Sequence, residues 1–392
     1  MAGESSPEIS KEALIKKQVF TSHRMLWQRA SWIFYSLFGL IVYLPLSTPA
    51  NSKSDDLILS QPLAVVWRYP SDFTTDLTPA VDSQSVFVPL GAGVLVALNA
   101  ADGKLIWRTE SGGEFSAAPV ADERSVFVAT GYAVPDEKQQ RGALRAMSKA
   151  TGVTLWMRTL SAPLVGALAC DGSAIFGGSP DGHIYAFDNR TGLIIWSKQY
   201  AEPFSSQPVV VDGRVYIGSD SGVMRSLDSK TGEVAWEYKT GGAIRGSVAV
   251  SDNIAYFGSA DANVYAFSAK KSKLLWHRRA GAAVEAVVAV ENGVLASSLD
   301  NFAYLLSLHK GTLIWRRQLP GRISSRPITA KEGALFTPFS TDAAIVLNLK
   351  DGKPANTLSL GEENSRAAAP VSVNNLILIT TPHALLAFAA AR

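Results

Sequence analysis

The stretch Ser221–Tyr238, SGVMRSLDSKTGEVAWEY, carries the pattern that recurs through most of this chain. Its alternating apolar residues indicate a strand. The polar run that follows ends in Gly232, whose tolerance of positive φ allows a tight turn. A second strand then leads to Trp236. The stretch therefore predicts a β-hairpin that carries one large aromatic side chain.

This hairpin recurs about every 40 residues, with one longer interval between Trp107 and Trp156. Each repeat supplies four short strands, which is typical of a β-propeller blade. We expect the repeated Trp and turn Gly residues to be structural, with each indole packed against the next blade. The Trp residues are Trp67, Trp107, Trp156, Trp196, Trp236, Trp276 and Trp315, and the glycines are Gly103, Gly152, Gly192, Gly232 and Gly311.

The repeats predict an all-β fold: an eight-bladed propeller of four-stranded blades over residues 61–392. The last repeat stops after its third strand, whereas residues 62–69 form an isolated fourth strand with its own Trp67. We predict that this N-terminal strand pairs with the strand at Leu385–Phe388 and closes the last blade, which removes an unpaired sheet edge. The seventh repeat has Asn356 in place of Trp, which predicts a looser contact with its neighbour.

The chain before the propeller divides into three segments. Residues 1–29 are polar and basic, which predicts a cytoplasmic N-terminus. Residues 30–46 are uncharged and long enough for a short membrane-spanning helix, and they also resemble a secretory signal. An uncleaved anchor and a cleaved signal both remain open, and residues 47–60 are a linker in either case. The propeller is then expected in the periplasm or another extracytoplasmic space, anchored to the inner membrane or exported.

Composition excludes several function classes. The net charge of +3 comes without a basic run rich in aromatics in the repeats, so nucleic acid is not an expected partner. Cys170 is the single cysteine and lies in an apolar run, which favours a buried side chain over a nucleophile. The five His residues lack metal-ligand spacing, and no motif of a nucleophile elbow or phosphate-binding loop occurs.

Two regions are candidates for binding. The loops that lead into the first strands meet at one mouth of the central channel, where most residues are small. Those that could bind a polar or anionic ligand, rather than form a solvated rim, are Gln207, Arg245, Glu285, Arg322 and Arg326. The insertion Gly131–Gly142 is either a solvated loop or a partner contact.

The segments AFDNRTGLIIW and SLDSKTGEVAW resemble the repeat of the pyrroloquinoline-quinone (PQQ)-type, or quinoprotein-like, propellers, Ala-x-Asp-x-x-Thr-Gly-x-x-x-Trp. The resemblance covers about residues 61–391 and is nearest to the BamB branch, whose members are scaffolds of outer-membrane protein assembly. It implies a non-catalytic protein that binds envelope or outer-membrane assembly proteins. The lipobox cysteine of that branch is absent from this sequence, so we do not expect a lipid anchor of that kind.

The quinoprotein dehydrogenases share this repeat and imply a different function. Their active sites bind PQQ and calcium and contain a vicinal Cys pair, whereas this chain has only Cys170. We place no calcium-type cluster of Asp, Glu and Asn at one channel mouth. We therefore expect no cofactor and no metal. A PQQ-dependent oxidoreductase or ligand-binding quinoprotein domain is the alternative, and a ligand-sensing ectodomain is a third class.

Overall fold

The computed structural model describes residues 57–135 and 139–391, and in this part of the chain the protein is almost entirely β. A single short 3-10 turn, Gly91–Gly93, interrupts the strands. The segments predicted at 1–29 and 30–46, and most of the linker at 47–60, lie outside the described residues. None of the helices in the described part is long and apolar enough to cross a membrane.

The strands are numbered here in chain order. The first part of the described chain forms β1 (Leu63–Pro70), β2 (Ala80–Val81), β3 (Ser85–Leu90), β4 (Val94–Asn99), β5 (Leu105–Glu110), β6 (Glu114–Ala121), β7 (Ser125–Tyr132), β8 (Arg141–Ser148) and β9 (Thr154–Leu160). The middle of the chain forms β10 (Val165–Cys170), β11 (Ala174–Gly178), β12 (His183–Asp188), β13 (Ile194–Gln199), β14 (Val209–Val211), β15 (Arg214–Gly218), β16 (Val223–Asp228), β17 (Val234–Lys239), β18 (Ala249–Ser251), β19 (Ile254–Gly258), β20 (Asn263–Ser268) and β21 (Lys273–Arg279). The remainder forms β22 (Val284–Val290), β23 (Gly293–Ser298), β24 (Phe302–Leu306), β25 (Leu313–Gln318), β26 (Ile328–Thr329), β27 (Gly333–Phe336), β28 (Ala343–Asn348), β29 (Pro354–Ser359), β30 (Val371–Val373), β31 (Leu376–Thr381) and β32 (Ala384–Ala390).

Four consecutive strands form each antiparallel unit, from unit 1 (β2–β5) to unit 7 (β26–β29). The fourth strand of each is the outer strand. The last unit, unit 8, takes its fourth strand from the other end of the chain, with the order β1-β32-β31-β30. Trp67 is opposite Ala387 and Tyr69 is opposite Leu385. The predicted closure by the N-terminal strand is therefore confirmed.

Units 2 and 3 are joined into one eight-stranded sheet, which the repeat pattern did not predict. Their first strands, β6 and β10, pair in parallel through Gly166 opposite Ala117 and Ala167 opposite Ala118. The side chains at this junction are absent or a single methyl group. The two backbones can therefore approach within hydrogen-bonding distance.

The turn before each outer strand has a local physical cause. In unit 4 the Asp228 carboxylate accepts hydrogen bonds from the backbone N–H groups of Lys230 and Thr231, at 3.0 and 3.1 Å. Gly232 follows with a φ of +69°. A bulge then lies just before the Trp, because Trp236 is opposite Ser226 while Val234 is opposite Leu227. This bulge leaves two successive residues exposed and turns the indole inward.

The core lies between successive units rather than within one sheet. One typical cluster joins Phe176 of unit 3 to Val215, Ile217 and Leu227 of unit 4, all with no exposed surface. Such clusters link each unit to the next along the chain, and one links unit 8 to unit 1. Burial between sheets is how a propeller uses both faces of each blade.

The segment before β1 corrects two expectations, one about the linker and one about Asn356. Leu57 and Leu59 are buried in the cluster shared by units 7 and 8, so the linker predicted at 47–60 ends before Leu57. The prediction of a looser contact at Asn356 is wrong, because the segment that carries Leu57 and Leu59 takes the place of the missing indole. The Asn356 amide donates to the carbonyls of Leu59 and Gln61, at 3.0 and 2.6 Å.

Candidate functional site

The repeated Trp residues lie between neighbouring units. The indole N–H groups of six of them donate to a turn carbonyl of the following unit at 2.7–3.1 Å; these are Trp67, Trp107, Trp156, Trp196, Trp276 and Trp315. The indole face covers the turn glycine of that same unit. A Cβ atom placed on Gly192 would be 2.5 Å from Trp156, and one on Gly232 would be 2.7 Å from Trp196. Gly103, Gly152 and Gly311 have the same relation to Trp67, Trp107 and Trp276.

Unit 5 departs from this arrangement. Ser272 occupies the turn position of the glycines, with a φ of +44°. Trp236 instead packs against Phe267, with ring centroids 4.2 Å apart. An aromatic contact thus takes the place of the contact between indole and glycine at this junction.

The mouth of the predicted channel is built from the chain just before and within the first strands. Backbones of neighbouring units approach closely here. A Cβ on Gly166 would be 2.3 Å from the Ser205 carbonyl oxygen, and one on Gly246 would be 2.0 Å from that of Glu285. The small residues seen in the sequence at these positions are therefore required by packing.

Two of the five candidate ligand residues interact across this mouth. Glu285 is half-buried, and burial raises the pKa of its carboxyl, although the positive charge of Arg245 partly offsets that effect. Arg245 is exposed and forms an ion pair with Asp220 at 3.2 Å. Asp220 also accepts a hydrogen bond from Ser205 Oγ at 2.5 Å. These residues form an exposed polar patch in which the guanidinium of Arg245 interacts with two carboxyl groups, those of Asp220 and Glu285.

The other three candidates are arranged differently. Gln207 and Arg322 are exposed, and among the described residues neither side chain forms a hydrogen bond to Arg245 or Glu285. Arg326 is partly buried, and burial lowers the pKa of its guanidinium. Among the described residues, an interaction between members of the five is therefore shown for Arg245 and Glu285.

A buried arginine missed in the sequence organises the connection between units 3 and 4. Arg225, 5% exposed, forms ion pairs with Glu202 and with Glu237, the latter at 3.3 Å. Its guanidinium also lies 4.1 Å from the centre of the Tyr200 ring, a cation–π contact. The segment SKQYAEPFSS, which precedes Gln207, is therefore held against unit 4. A charged residue inside an otherwise apolar third strand was the signal that could have revealed it.

A second set of contacts was also missed. In unit 5 the Asp261 carboxylate accepts from Tyr265 Oη at 2.6 Å and from the backbone N–H of Gly241 at 2.8 Å. Asp300 does the same with Tyr304 and with the Gly281 N–H in unit 6. Each carboxylate ties the connection from the preceding unit to the turn between the second and third strands. The recurrence of Asp four residues before Tyr in the third strand was the available sequence signal.

The insertion predicted at Gly131–Gly142 lengthens one hairpin. Strands β7 and β8 remain paired to its ends, with Gly131 opposite Gly142 and Tyr132 opposite Arg141. Gln139 and Gln140 lie beside Ala162 and Pro163 at the start of unit 3. The insertion therefore extends toward the neighbouring unit, although residues 136–138 at its tip lie outside the described part.

The remaining chemical candidates have ordinary surroundings. Cys170 is buried, and desolvation raises the pKa of its thiol to about 11, which keeps it protonated at neutral pH. His183 stacks on Tyr185 with centroids 5.2 Å apart and contacts Asp181 at 3.0 Å. Within 57–135 and 139–391, no group of three His, Cys, Asp or Glu residues could hold a metal ion.

The strand order, the inter-unit Trp residues and the closing N-terminal strand define a propeller-type protein of PQQ-like repeats. Three overlapping segments, 60–157, 140–244 and 240–392, match the family model described as outer membrane protein assembly factor BamB. The chain therefore belongs to this family. No curated protein matches it.

Solved structures with the same fold include a BamB protein, a computationally designed protein and a quinohemoprotein alcohol dehydrogenase. BamB from Moraxella catarrhalis is 17% identical with a TM-score of 0.70, over 84% of this chain and 98% of that one. The computationally designed Ika8 protein is 15% identical with a TM-score of 0.71, over 83% and 99%. Quinohemoprotein alcohol dehydrogenase from Comamonas testosteroni is 11% identical with a TM-score of 0.67, over 85% and 77%. These similarities describe the fold.

Proposed function

We propose that this protein is a non-catalytic scaffold of the cell envelope, a closed eight-bladed propeller that binds proteins of outer-membrane assembly. The observation that carries the proposal is membership, over residues 60–392, in the family described as outer membrane protein assembly factor BamB. A closed ring has no free sheet edge and presents fixed loops and strand faces, which suits protein binding.

The exposed surface supports a binding role. The outer strands of units 8, 1, 2 and 3, with the residue just before β9 and β13, carry large apolar side chains that are 44–61% exposed: Val65, Val66, Leu105, Ile106, Val153, Leu155, Met157, Leu193, Ile194 and Ile195. The bulge before each Trp leaves two successive residues exposed, and in units 8, 1 and 3 both are apolar: Val65 and Val66, Leu105 and Ile106, and Ile194 and Ile195. Exposed apolar surface of this extent is typical of protein interaction sites.

The test uses photocrosslinking in intact cells with the full chain. A photoreactive residue replaces Leu155 or Ile195, and the control replaces Ala355, which is also exposed and occupies the matching position before Asn356 in unit 7. We expect the first two to capture a component of outer-membrane protein assembly and the control to capture none. Depletion of the protein should also lower the amount of folded outer-membrane β-barrel protein. Unchanged barrel levels together with no captured assembly protein would contradict the proposal.

A quinone-dependent oxidoreductase is the alternative, and it shares the fold of the quinohemoprotein alcohol dehydrogenases. The mouth residues fit it poorly. Glu285 is the one acid among the five candidates, and burial raises its pKa, whereas calcium requires several ionised or carbonyl oxygen ligands. Protein purified from a culture supplied with PQQ should carry neither chromophore nor stoichiometric calcium. Recovery of both would favour the oxidoreductase.

We further propose that residues 30–46 direct the chain across the inner membrane and that the propeller lies in the periplasm. The support is the sequence of residues 1–46 and the envelope role of the family. Protease added to spheroplasts should digest or release the propeller, and the size of the mature protein should separate an anchored form from a cleaved one. Full protection in spheroplasts, with digestion only after lysis, would contradict this location.

A further inference from the structure

A basic cleft lies between units 5 and 6. Its walls are Arg278 and Arg279 at the end of β21, and Asp300, Phe302, Tyr304, Leu313 and Arg316 of unit 6. Its volume is about 450 Å³. The three arginines are exposed, whereas Tyr304 is buried and Phe302 is partly buried. The cleft therefore has a charged rim and an aromatic floor.

The arginines of this cleft have no counter-charge in the described part of the chain. None of Arg278, Arg279 and Arg316 forms a salt bridge there, and the Arg316 guanidinium lies 5.4 Å from the centre of the Phe302 ring. The single acid of the cleft, Asp300, is already bonded to Tyr304 Oη and to the N–H groups of Gly281 and Phe302. Its lone pairs are thus directed to internal donors rather than to the guanidinium groups.

The surrounding surface reinforces this charge. Residues 270–318 contain eight Lys and Arg residues against three Asp and Glu, a larger excess than the net charge of +3 for the whole chain. The positive charge is therefore concentrated in residues 270–318, which include β21 and β25 at the cleft. A low-dielectric floor strengthens such a potential inside a cleft.

We propose that this cleft, named here the basic cleft, binds a phosphate group borne by an organic ligand. Guanidinium groups match phosphate oxygens with paired N–H donors, and three of them supply more charge than one carboxylate would neutralise. Phe302, Tyr304 and Leu313 offer apolar surface to the organic body attached to the phosphate. The phosphate could come from a soluble ester or from a lipid headgroup. The proposal is independent of the scaffold role.

The experiment measures binding to the full-length protein of two probes: glycerol 3-phosphate, by calorimetry, and phosphatidylcholine vesicles with and without phosphatidylglycerol, by flotation. The variant is Arg278→Gln/Arg316→Gln. The matched control is Arg68→Gln/Arg108→Gln, because Arg68 and Arg108 are exposed and follow a repeat Trp as Arg316 does. We expect the cleft variant to lose about tenfold or more in affinity, with little change in the control.

Each outcome is decisive. If the cleft variant loses binding to glycerol 3-phosphate, to the anionic vesicles or to both, the result supports the phosphate site. The probe whose binding is lost identifies the source of the phosphate. No binding of either probe by the native protein overturns it, as does an equal loss in the control. Binding of polyglutamate but of neither phosphate probe also overturns it and assigns an acidic polypeptide instead. Unchanged thermal unfolding confirms that the variant is folded, and Arg279→Gln provides a second, single substitution.

Discussion

The contact between indole and glycine depends on the absence of a single Cβ atom. Gly232 has a φ of +69° and lies under Trp196, so it faces both a backbone and a packing constraint. Gly213, in the same unit, has a φ of +70° with no atom within 4 Å of its would-be Cβ. A comparison of substitutions at the two glycines therefore separates the cost of a positive φ from the cost of a clash with Trp196.

Gly232→Ala is expected to destabilise the protein more than Gly213→Ala. The backbone conformation alone costs about 1–2 kcal/mol in either variant. Displacement of the Trp196 ring should add about 1–3 kcal/mol in Gly232→Ala only. Urea unfolding followed by Trp fluorescence measures both. Equal losses would mean that the indole does not rest on the turn.

Protonation of one partly buried carboxylate, that of Asp261, should also affect stability. Burial tends to raise the pKa of Asp261, but the hydrogen bonds from Tyr265, Gly241 and Asn263 outweigh this and lower it. Because the folded-state pKa lies below the unfolded value, the stabilisation is present above about pH 4 and is lost as the pH falls through the folded pKa.

We expect Asp261→Asn to be less stable than the native protein at pH 7 and to show a flatter decline of melting temperature between about pH 4 and pH 2. The control is Asp252→Asn, because Asp252 is exposed in the same unit and forms no hydrogen bond or ion pair within the described residues. If the acid profiles of native protein and Asp261→Asn coincide, the carboxylate makes no such contribution.

At the scale of elements, the segment before β1 completes the junction at which the seventh repeat lacks its Trp. The seventh repeat lacks its Trp, and the cavity is filled by Leu57 and Leu59 while Asn356 bonds to the incoming chain. Leu59 also donates its N–H to Glu332 at 3.0 Å. A segment far away in sequence thus completes a junction that the repeat itself leaves open.

Leu59→Ala should lower the free energy of unfolding by about 2–5 kcal/mol, because Leu59 has no exposed surface. Ile58→Ala is the matched control, because Ile58 is 49% exposed and its substitution should change stability by less than about 0.5 kcal/mol. Chemical denaturation of both variants tests this. Similar small losses would place the segment outside the core.

At the scale of the whole molecule, closure joins the two ends of the described chain. Ala64 of β1 is opposite Ala389 of β32, so a disulfide at these positions would link the sheet across nearly the entire propeller. The one native thiol, Cys170, is buried and should not interfere.

The variant Ala64→Cys/Ala389→Cys should oxidise readily and gain about 4–6 kcal/mol in unfolding free energy, because the closed loop is long. Unfolding with and without reductant measures the gain, and Ala64→Cys alone is the control. If no disulfide forms under oxidising conditions, β1 does not pair with β32 in solution.

The repeat of strand, turn and Trp was enough to predict the all-β propeller, its four-stranded units and the closing strand, because each depends on local patterns and on the need to pair a sheet edge. Only the tertiary structure revealed four other features: the core position of Leu59, the ion pairs of Arg225, the parallel pairing of units 2 and 3, and the basic cleft. They arise where residues distant in sequence meet, and local alternation carries no information about such neighbours.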